Sequence, residues 1–558
     1  MKKFRWQILI LCLTGLVVGA LLLLERQGGF LSNITNQPVQ GGVYTEALIG
    51  SLQRLNPLID SGNSADKDID RLVFSRLIQF DSRGIAEGDV AKTWGISEDG
   101  TIYNFELRDD VLWHDGAALT TDDVIFTINM ISRGGDLIPV DLSEFWSAVT
   151  VIKLDETHMQ FVLPEAFAPF LDYLTFGILP EHIFGTMTYE EMVASTYNLQ
   201  PIGSGPYKFK DLSLEGNTIT GITLEVNQNY YGAAPYIEEI VFRYYIDGQT
   251  AYQAYLDGYV QGISYVSNDI LPQVLENEEL SLYSARMPQI SMVLLNLDND
   301  SVSFFQEVKV RKALLLGINR QLLINEIFNG QAIQADGVIF PGTWAYLESA
   351  PTFTYDPDQA REYLKQAGYV VTGETDPVRA NDGVELKFVL SYPDDELHAK
   401  IAQMIQSDWK ALDVIVTLES VPIDQFVSDK LEARGYQAAL VDINLANSPD
   451  PDPYPFWDQA QIAGGQNYSQ WSDRTVSDTL EQARVTTDLA ERTRLYHNFQ
   501  YLFADQLPAL PLYYPVYSYA VDNQVNGVSL GPLFSSSDRF ANVTSWNMVF
   551  KRTSTNSR

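Results

Sequence analysis

Histidine, cysteine, serine and carboxylate side chains carry most protein chemistry, and their spacing here points away from catalysis. The histidines at 114, 158, 182, 398 and 497 never take the His-x-x-x-His or His-Glu-x-x-His spacing that sets two ligands on one helix face. Gly203-Ser204-Gly205 lacks the Gly-x-Ser-x-Gly spacing of a nucleophile elbow. The one cysteine, Cys12, lies in an apolar N-terminal run, so the rest of the chain offers no disulfide and no thiolate metal site. With 72 acidic residues, paired carboxylates arise at any spacing by chance. A secreted hydrolase working through two carboxylates therefore remains only as the third-ranked alternative.

Binding chemistry is better represented. Asn444 to Trp457 reads NLANSPDPDPYPFW, with prolines at every second position from Pro449 to Pro455. Prolines so spaced hold a loop extended at low entropic cost, and this one carries Asn447, Asp450, Asp452, Tyr454 and Trp457. It lacks the glycine and the terminal glutamate of a calcium-binding EF-hand loop. Gly465 to Trp471 (GQNYSQW) adds Asn467, Tyr468 and Trp471, and a further loop adds Trp344 and Tyr346. Flat aromatic and amide groups suit peptide backbones and sugar faces alike. For each aromatic the plainer expectation is a place in the core.

The elements expected to present these loops alternate between strand and helix. Leu386–Leu390, Glu396–Leu412 and Val414–Leu418 read as strand, amphipathic helix and strand, a βαβ unit that implies parallel pairing. Asp424–Leu431 and Tyr436–Ile443 repeat helix and strand, which brings Asn444 to a strand's carboxyl end, where open α/β sheets bind ligands. Val308 to Ile327 reads as two helices broken at Asn319-Arg320. Nearer the N-terminus, Trp94 and Ile96, then Tyr103, Phe105 and Leu107, alternate with polar neighbours around Asp99-Gly100, the pattern of a hairpin. Thr120 and Asp123 form a capping box for the helix that follows.

At 558 residues the chain exceeds one core, so two or three domains are expected. Its 37 basic against 72 acidic residues give a formal charge of −35, which argues against nucleic-acid or anionic-membrane partners. Lys2, Lys3 and Arg5 precede an apolar run from Ile8 to Leu24, short for a membrane span at about 25 Å of helix. Residues 1–27 read as an uncleaved signal anchor, with a cleaved signal peptide as the alternative; either way the body lies outside the membrane. Residues 28–37 read as a linker.

Asp89 to Ile131 also resembles the solute-binding proteins of peptide- and nickel-type ABC importers. The shared pattern is Val90-Ala91-x-x-Trp94, Ser97-x-Asp99-Gly100, Leu107-Arg108, Trp113-His114-Asp115-Gly116 and Thr120-x-Asp122-Asp123-Val124. The resemblance continues in order through Leu55-Asn56-Pro57, Leu179-Pro180-x-His182, Gln200–Phe209 (QPIGSGPYKF), Val310-Arg311-x-Ala313-Leu314, Asp450-Pro451-Asp452 and Asn467-Tyr468-Ser469. It covers residues from about 40 to 530. What it implies is a two-lobed α/β fold of the periplasmic-binding-protein kind (type II, large cluster C), with an extra subdomain inserted in lobe I.

On that reading lobe I spans 38–285, with the subdomain at about 62–195. Lobe II spans 286–513, a return segment to lobe I spans 514–550, and 551–558 form a frayed tail. The implied function is capture of a peptide-like solute between the lobes for delivery to a membrane permease. The chain is expected to be a monomer that needs no cofactor and no metal. Expected ligand contacts are Asn56, Trp344, Asn444, Asn447, Asp450, Trp457, Asn467 and Trp471. An oligosaccharide stacked on Trp344, Trp457 or Trp471 is the alternative. Two positions depart from the family pattern: Gly258–Gly262 lacks its acid, and Asn447 stands where dipeptide binders carry the aspartate that takes the peptide amine. The hairpin itself is expected to touch no solute.

Overall fold

The period-two patterns become strands where a buried face exists to receive them. In the computed structural model, which describes residues 33–555 apart from 61, 374–376 and 446–447, Ala91–Ile96 and Ile102–Leu107 pair antiparallel with Trp94 opposite Phe105. Tyr103, Phe105 and Leu107 are buried, and Gly100 takes φ 71° in the turn, a conformation that favours glycine. Helix Thr121–Arg133 follows with the expected capping box: the Thr120 hydroxyl caps the first turn while the Asp123 carboxylate accepts from the Thr120 amide. Two further strands, Thr150–Lys153 and His158–Val162, complete a four-stranded sheet.

A twelve-stranded sheet joins the two lobes. Its spine is the fourteen-residue strand Ala509–Asp522. The first part of this strand pairs antiparallel with Gln289–Leu295, and its second part, from Val516 on, pairs with Leu280–Arg286. The chain thus crosses between the lobes twice, side by side. On one side of the crossing a core runs from Tyr44 to Phe242 and takes in Tyr517 to Trp546. On the other side, two clusters between Ile290 and Tyr514 fill the second lobe. The sheet is shared and the cores are separate, the condition for two bodies that can rotate about a short connection.

In lobe II the expected βαβ unit is present: Lys387–Pro393 and Ile415–Val421 pair parallel around helix Glu396–Lys410. Val308–Leu316 and Arg320–Phe328 are separate helices, and the Asn319 side chain caps the second by accepting from the Leu322 amide. The segment leading into Leu179-Pro180-x-His182 is a 3-10 turn at Ala168–Leu174 followed by a short helix at Glu181–Phe184. Pro180 lacks an amide donor and disfavours a helical residue before it, so no helix runs through.

The tail also differs from its sequence reading. Phe550–Thr555 is a strand paired antiparallel with Asn33–Pro38, so the two ends of the described chain hold each other. The signal segment, residues 1–27, lies outside the described residues. Among the described residues no helix is long and apolar enough to cross a membrane.

Candidate functional site

A cavity of about 590 Å³ lies between the lobes, within the roughly 300–1,000 Å³ usual for small-ligand sites. One wall is the stretch expected from sequence: Asn444 at the end of strand Ala438–Asn444, then the proline-rich segment to Phe456. The other wall comes from lobe I, chiefly from Pro57–Asp60, helix Ser64–Val73 and the turn around Asp172.

Helix Ser64–Val73 is the informative element. Asn63 caps it by accepting from the Ala65 amide at 3.1 Å. Asp66, Asp68 and Asp70 then alternate along it, and all three are buried. Asp66 accepts from the Gln53 and Arg54 amides at 3.0 and 2.8 Å, which anchors the preceding loop. Asp68 meets Arg539. Asp70 lines the cavity, and neither of its carboxylate oxygens finds a hydrogen-bond partner among the described residues.

The end of this helix is clamped by the Gly203-Ser204-Gly205 turn. The Gly205 amide donates to the Val73 carbonyl at 2.8 Å. A Cβ at Gly203 would stand 1.9 Å from that same carbonyl oxygen, so only glycine permits the approach. His114 holds the turn in place: its Nδ1 accepts from the Gly203 amide at 3.1 Å, and its own amide donates to the Gly203 carbonyl. Burial pushes the His114 imidazole down to about 4, so it stays neutral and keeps that acceptor. No residue from 89 to 131 lines the cavity.

The charges of the two walls are held differently. On the lobe I wall, burial pushes the Asp60 carboxyl up to about 7 against the pull of Lys67 and Arg76. Burial also raises Asp70 well above the carboxylate range, and Asp60 and Asp66 push the same way. Arg71 and Arg76 complete this wall; burial, then the Arg71 charge, lowers Arg76 to about 10. On the lobe II wall, Asp450 forms a two-pronged ion pair with Arg492 at 2.5 and 2.9 Å. Asp452 pairs with Arg484 at 3.0 Å; burial pushes its carboxyl up to about 6, with Arg484 opposing.

Contacts across the mouth tie the walls together. The Asp450 amide donates to the Asp172 carboxylate at 3.0 Å, and the Trp344 amide donates to the Arg83 carbonyl at 2.9 Å. The Arg484 guanidinium lies 4.2 Å from the ring centre of Tyr454 in its own lobe and 5.1 Å from that of Phe167 in the other. Burial, reinforced by Asp450, raises Asp172 well above the carboxylate range. No cluster of three metal-ligating side chains occurs among the described residues.

A two-lobed fold with a charged, closable cavity is the arrangement of a solute binder, and the matching family is one. The model of the bacterial extracellular solute-binding proteins, family 5 (middle), matches residues 86–464. The chain belongs to this family. It is 26% identical over 514 residues to the dipeptide-binding protein of Escherichia coli K12, covering 87% of this chain and 91% of that one. Among solved structures it is similar to HbpA2 from Haemophilus parasuis, with a TM-score of 0.77 at 20% identity over 89% of this chain and 99% of that one. It is also similar to DppA from Helicobacter pylori in complex with the peptide STSA, with a TM-score of 0.66 at 22% identity over 91% and 98%.

In this family 5 protein the residues singled out from sequence fall into two groups. Asn444 and Asp450 line the cavity, although the Asp450 carboxylate is already occupied by Arg492. Five others lie elsewhere. Trp457 and Trp471 are buried edge-on against Phe503, because the short helix Tyr454–Trp457 turns the indole inward rather than leaving it on a loop. Asn467 spends its amide on the Asp458 and Trp471 carbonyls at 3.0 and 2.9 Å. Asn56 is fully buried and donates to the Asn198 side chain at 3.3 Å. Trp344 is half-buried over the Arg492 guanidinium at 5.2 Å, and it serves the lobe contact through its backbone. Asn447 lies outside the described residues.

Sequence reasoning missed Asp60, Asp70, Arg71, Arg76, Asp172 and Arg484. A signal was present for one of them: Asp70 follows Ile69 and precedes Leu72 and Val73, so an acid sits within the apolar stretch of its helix.

Proposed function

We propose that this family 5 protein is the extracytoplasmic solute-binding component of an ABC importer. It takes a peptide-like solute into the cavity between its lobes and passes the closed form to a membrane permease. One observation carries the peptide reading: both walls of the cavity bear ionisable groups of both signs, buried Asp70 with half-buried Asp60, Arg71 and Arg76 on one and half-buried Asp452 with Arg484 on the other. A zwitterionic solute with amide groups between its ends matches that pattern, while a neutral sugar would leave the charges unanswered. The indoles of Trp457 and Trp471 pack inside lobe II, which removes two of the three platforms that an oligosaccharide would use. The E. coli and H. pylori relatives named for, or bound to, peptides support the same reading. The chain acts as a monomer held to the membrane by its N-terminal segment, binds its solute without a cofactor, and catalyses no reaction.

Calorimetric titration against di-, tri- and tetrapeptides and against maltotriose tests this. Saturable binding of at least one peptide class, with no binding of maltotriose, is the expected result. Binding of the sugar alone, or turnover of any of these compounds, overturns it.

A further inference from the structure

Asp60 and Asp70 stand out among the carboxylates of the cavity because no ion pair holds either among the described residues; Lys67 and Arg76 pull on Asp60 only from further off. Asp450 has Arg492 at 2.5 Å and Asp452 has Arg484 at 3.0 Å. Asp172 accepts the Asp450 amide. Asp70 is only 4% exposed, lines the cavity, and has no hydrogen-bond partner for either oxygen among the described residues. Another acid, Asp60, lies within carboxyl-to-carboxyl hydrogen-bonding reach and lines the same cavity, and the Asn56 amide opposes the rise. A buried carboxylate without a donor costs several kcal/mol if ionised, so a fold keeps one only where a proton or a ligand answers it.

We propose that Asp60 and Asp70 together form a subsite on the lobe I wall that takes a primary ammonium group of the bound solute. This rests on the peptide reading and says which group of the solute that wall holds. Two adjacent acceptors with no cation paired to either suit an ammonium, which brings three donors and one positive charge. A divalent metal ion fits less well: the site offers two carboxylates, and among the described residues no third ligating side chain completes a cluster there.

The empty site copes with its charge by retaining a proton. Burial raises both carboxyls, Asp60 to about 7. Asp66, one turn before Asp70, pushes the same way, and Lys67 and Arg76 oppose it at Asp60. From the sheet behind, the Tyr244 hydroxyl is buried without a hydrogen-bond partner among the described residues and is itself raised by burial, with Asp66 and Asp70 contributing. Beyond them stand Arg71 and Asp538, 3.9 Å apart, with Asp538 and Asp89 both acting on Arg76. An arriving ammonium ionises the pair, and the displaced proton leaves to the solvent.

The test uses the purified full-length chain and three probes: trialanine, N-acetyl-trialanine and N-acetyl-Ala-Lys-Ala. Each is titrated calorimetrically at pH 7 in two buffers of different ionisation heat. Trialanine should release up to about one proton per molecule bound and should bind at least about 30-fold more tightly than its acetylated form, the scale of leaving a buried charge unpaired. Asp60→Asn and Asp70→Asn should each remove the advantage of trialanine over the acetylated peptide and abolish proton release. Asp60 is the less buried of the two, so its variant reports even if the Asp70 variant does not fold; melting curves identify that case.

Recovery of affinity and proton release by N-acetyl-Ala-Lys-Ala would assign the ammonium to a side chain rather than to a peptide terminus, and either source supports the subsite. Equal binding of free and acetylated trialanine, with the lysine peptide no tighter, overturns the subsite and leaves the peptide reading standing. Tight binding of nickel chloride alone, lost in both variants, overturns the ammonium assignment. Failure of all three probes overturns the subsite together with the peptide reading.

Discussion

Asp68 and Asp70 lie two residues apart on one helix, both buried, and they meet opposite fates. Asp68 and Glu46 share the Arg539 guanidinium, with a closest contact of 2.6 Å to each. Tyr44 and Tyr519 add their hydroxyls to Glu46 at 2.7 and 2.8 Å and touch each other by a short hydrogen bond. Every charge in that cluster has its answer inside the protein, and the cluster locks strand Val43–Ile49 to the C-terminal segment. Asp70 has no ion pair, only the acid Asp60 and the Asn56 amide beside it, and it lines the cavity. The contrast teaches that burial alone does not mark a functional acid; what marks one is burial without a counter-charge beside open space.

The comparison can be broken most forcefully at Arg539. Arg539→Met leaves Glu46 and Asp68 buried without a cation and should cost about 3–5 kcal/mol in denaturant unfolding at neutral pH. A loss below about 1 kcal/mol would mean that the paired cluster is no more structural than the unpaired one. In lobe II, Asp450→Asn keeps the shape but strands the Arg492 guanidinium, and should cost about 2–3 kcal/mol by the same measurement.

Next comes the pH dependence of the unpaired pair. A carboxyl raised in the folded state adds stability that is fully present below its unfolded value near 4 and is lost as pH rises through its folded value, about 7 for Asp60. The unfolding free energy of the ligand-free protein should therefore fall between pH 4 and pH 7, with a slope of at most about 1.4 kcal/mol per pH unit for each proton involved. Asp60→Asn should flatten that slope; an unchanged slope would show that the pair does not hold the proton. The smallest effect is expected at the mouth. Arg484→Met removes the cation from the Tyr454 and Phe167 rings and should cost about 0.5–1 kcal/mol, read from paired melting curves.

Legibility from sequence followed the range of the interactions involved. The hairpin of Ala91–Leu107, the capping box at Thr120 and the βαβ unit of lobe II were all readable, because turn chemistry, capping and periodicity act over a few residues. The proline-rich segment was readable as a cavity wall but not residue by residue. Trp457 looked like a loop aromatic, and a four-residue helix turned it into the core. Asn56 and Asn467 looked like free amides, and each is spent on a partner in its own lobe. The Gly203-Ser204-Gly205 segment was readable as a shared motif; that it clamps the helix bearing Asp70 depends on His114, about ninety residues earlier.

By itself the sequence determined the lobe I hairpin, the capped helix after it and the βαβ unit of lobe II, the presence of a charged cleft loop after Ile443, and membership of a solute-binding family. These follow from local patterns and from motifs kept in order. Which acids are neutralised was decided only in three dimensions. Asp68 is answered by a residue 471 positions away, while Asp70 is left facing the cavity. The physical reason is that the cost of a buried charge depends on what lies within a few ångströms of it, and a linear chain does not carry that distance.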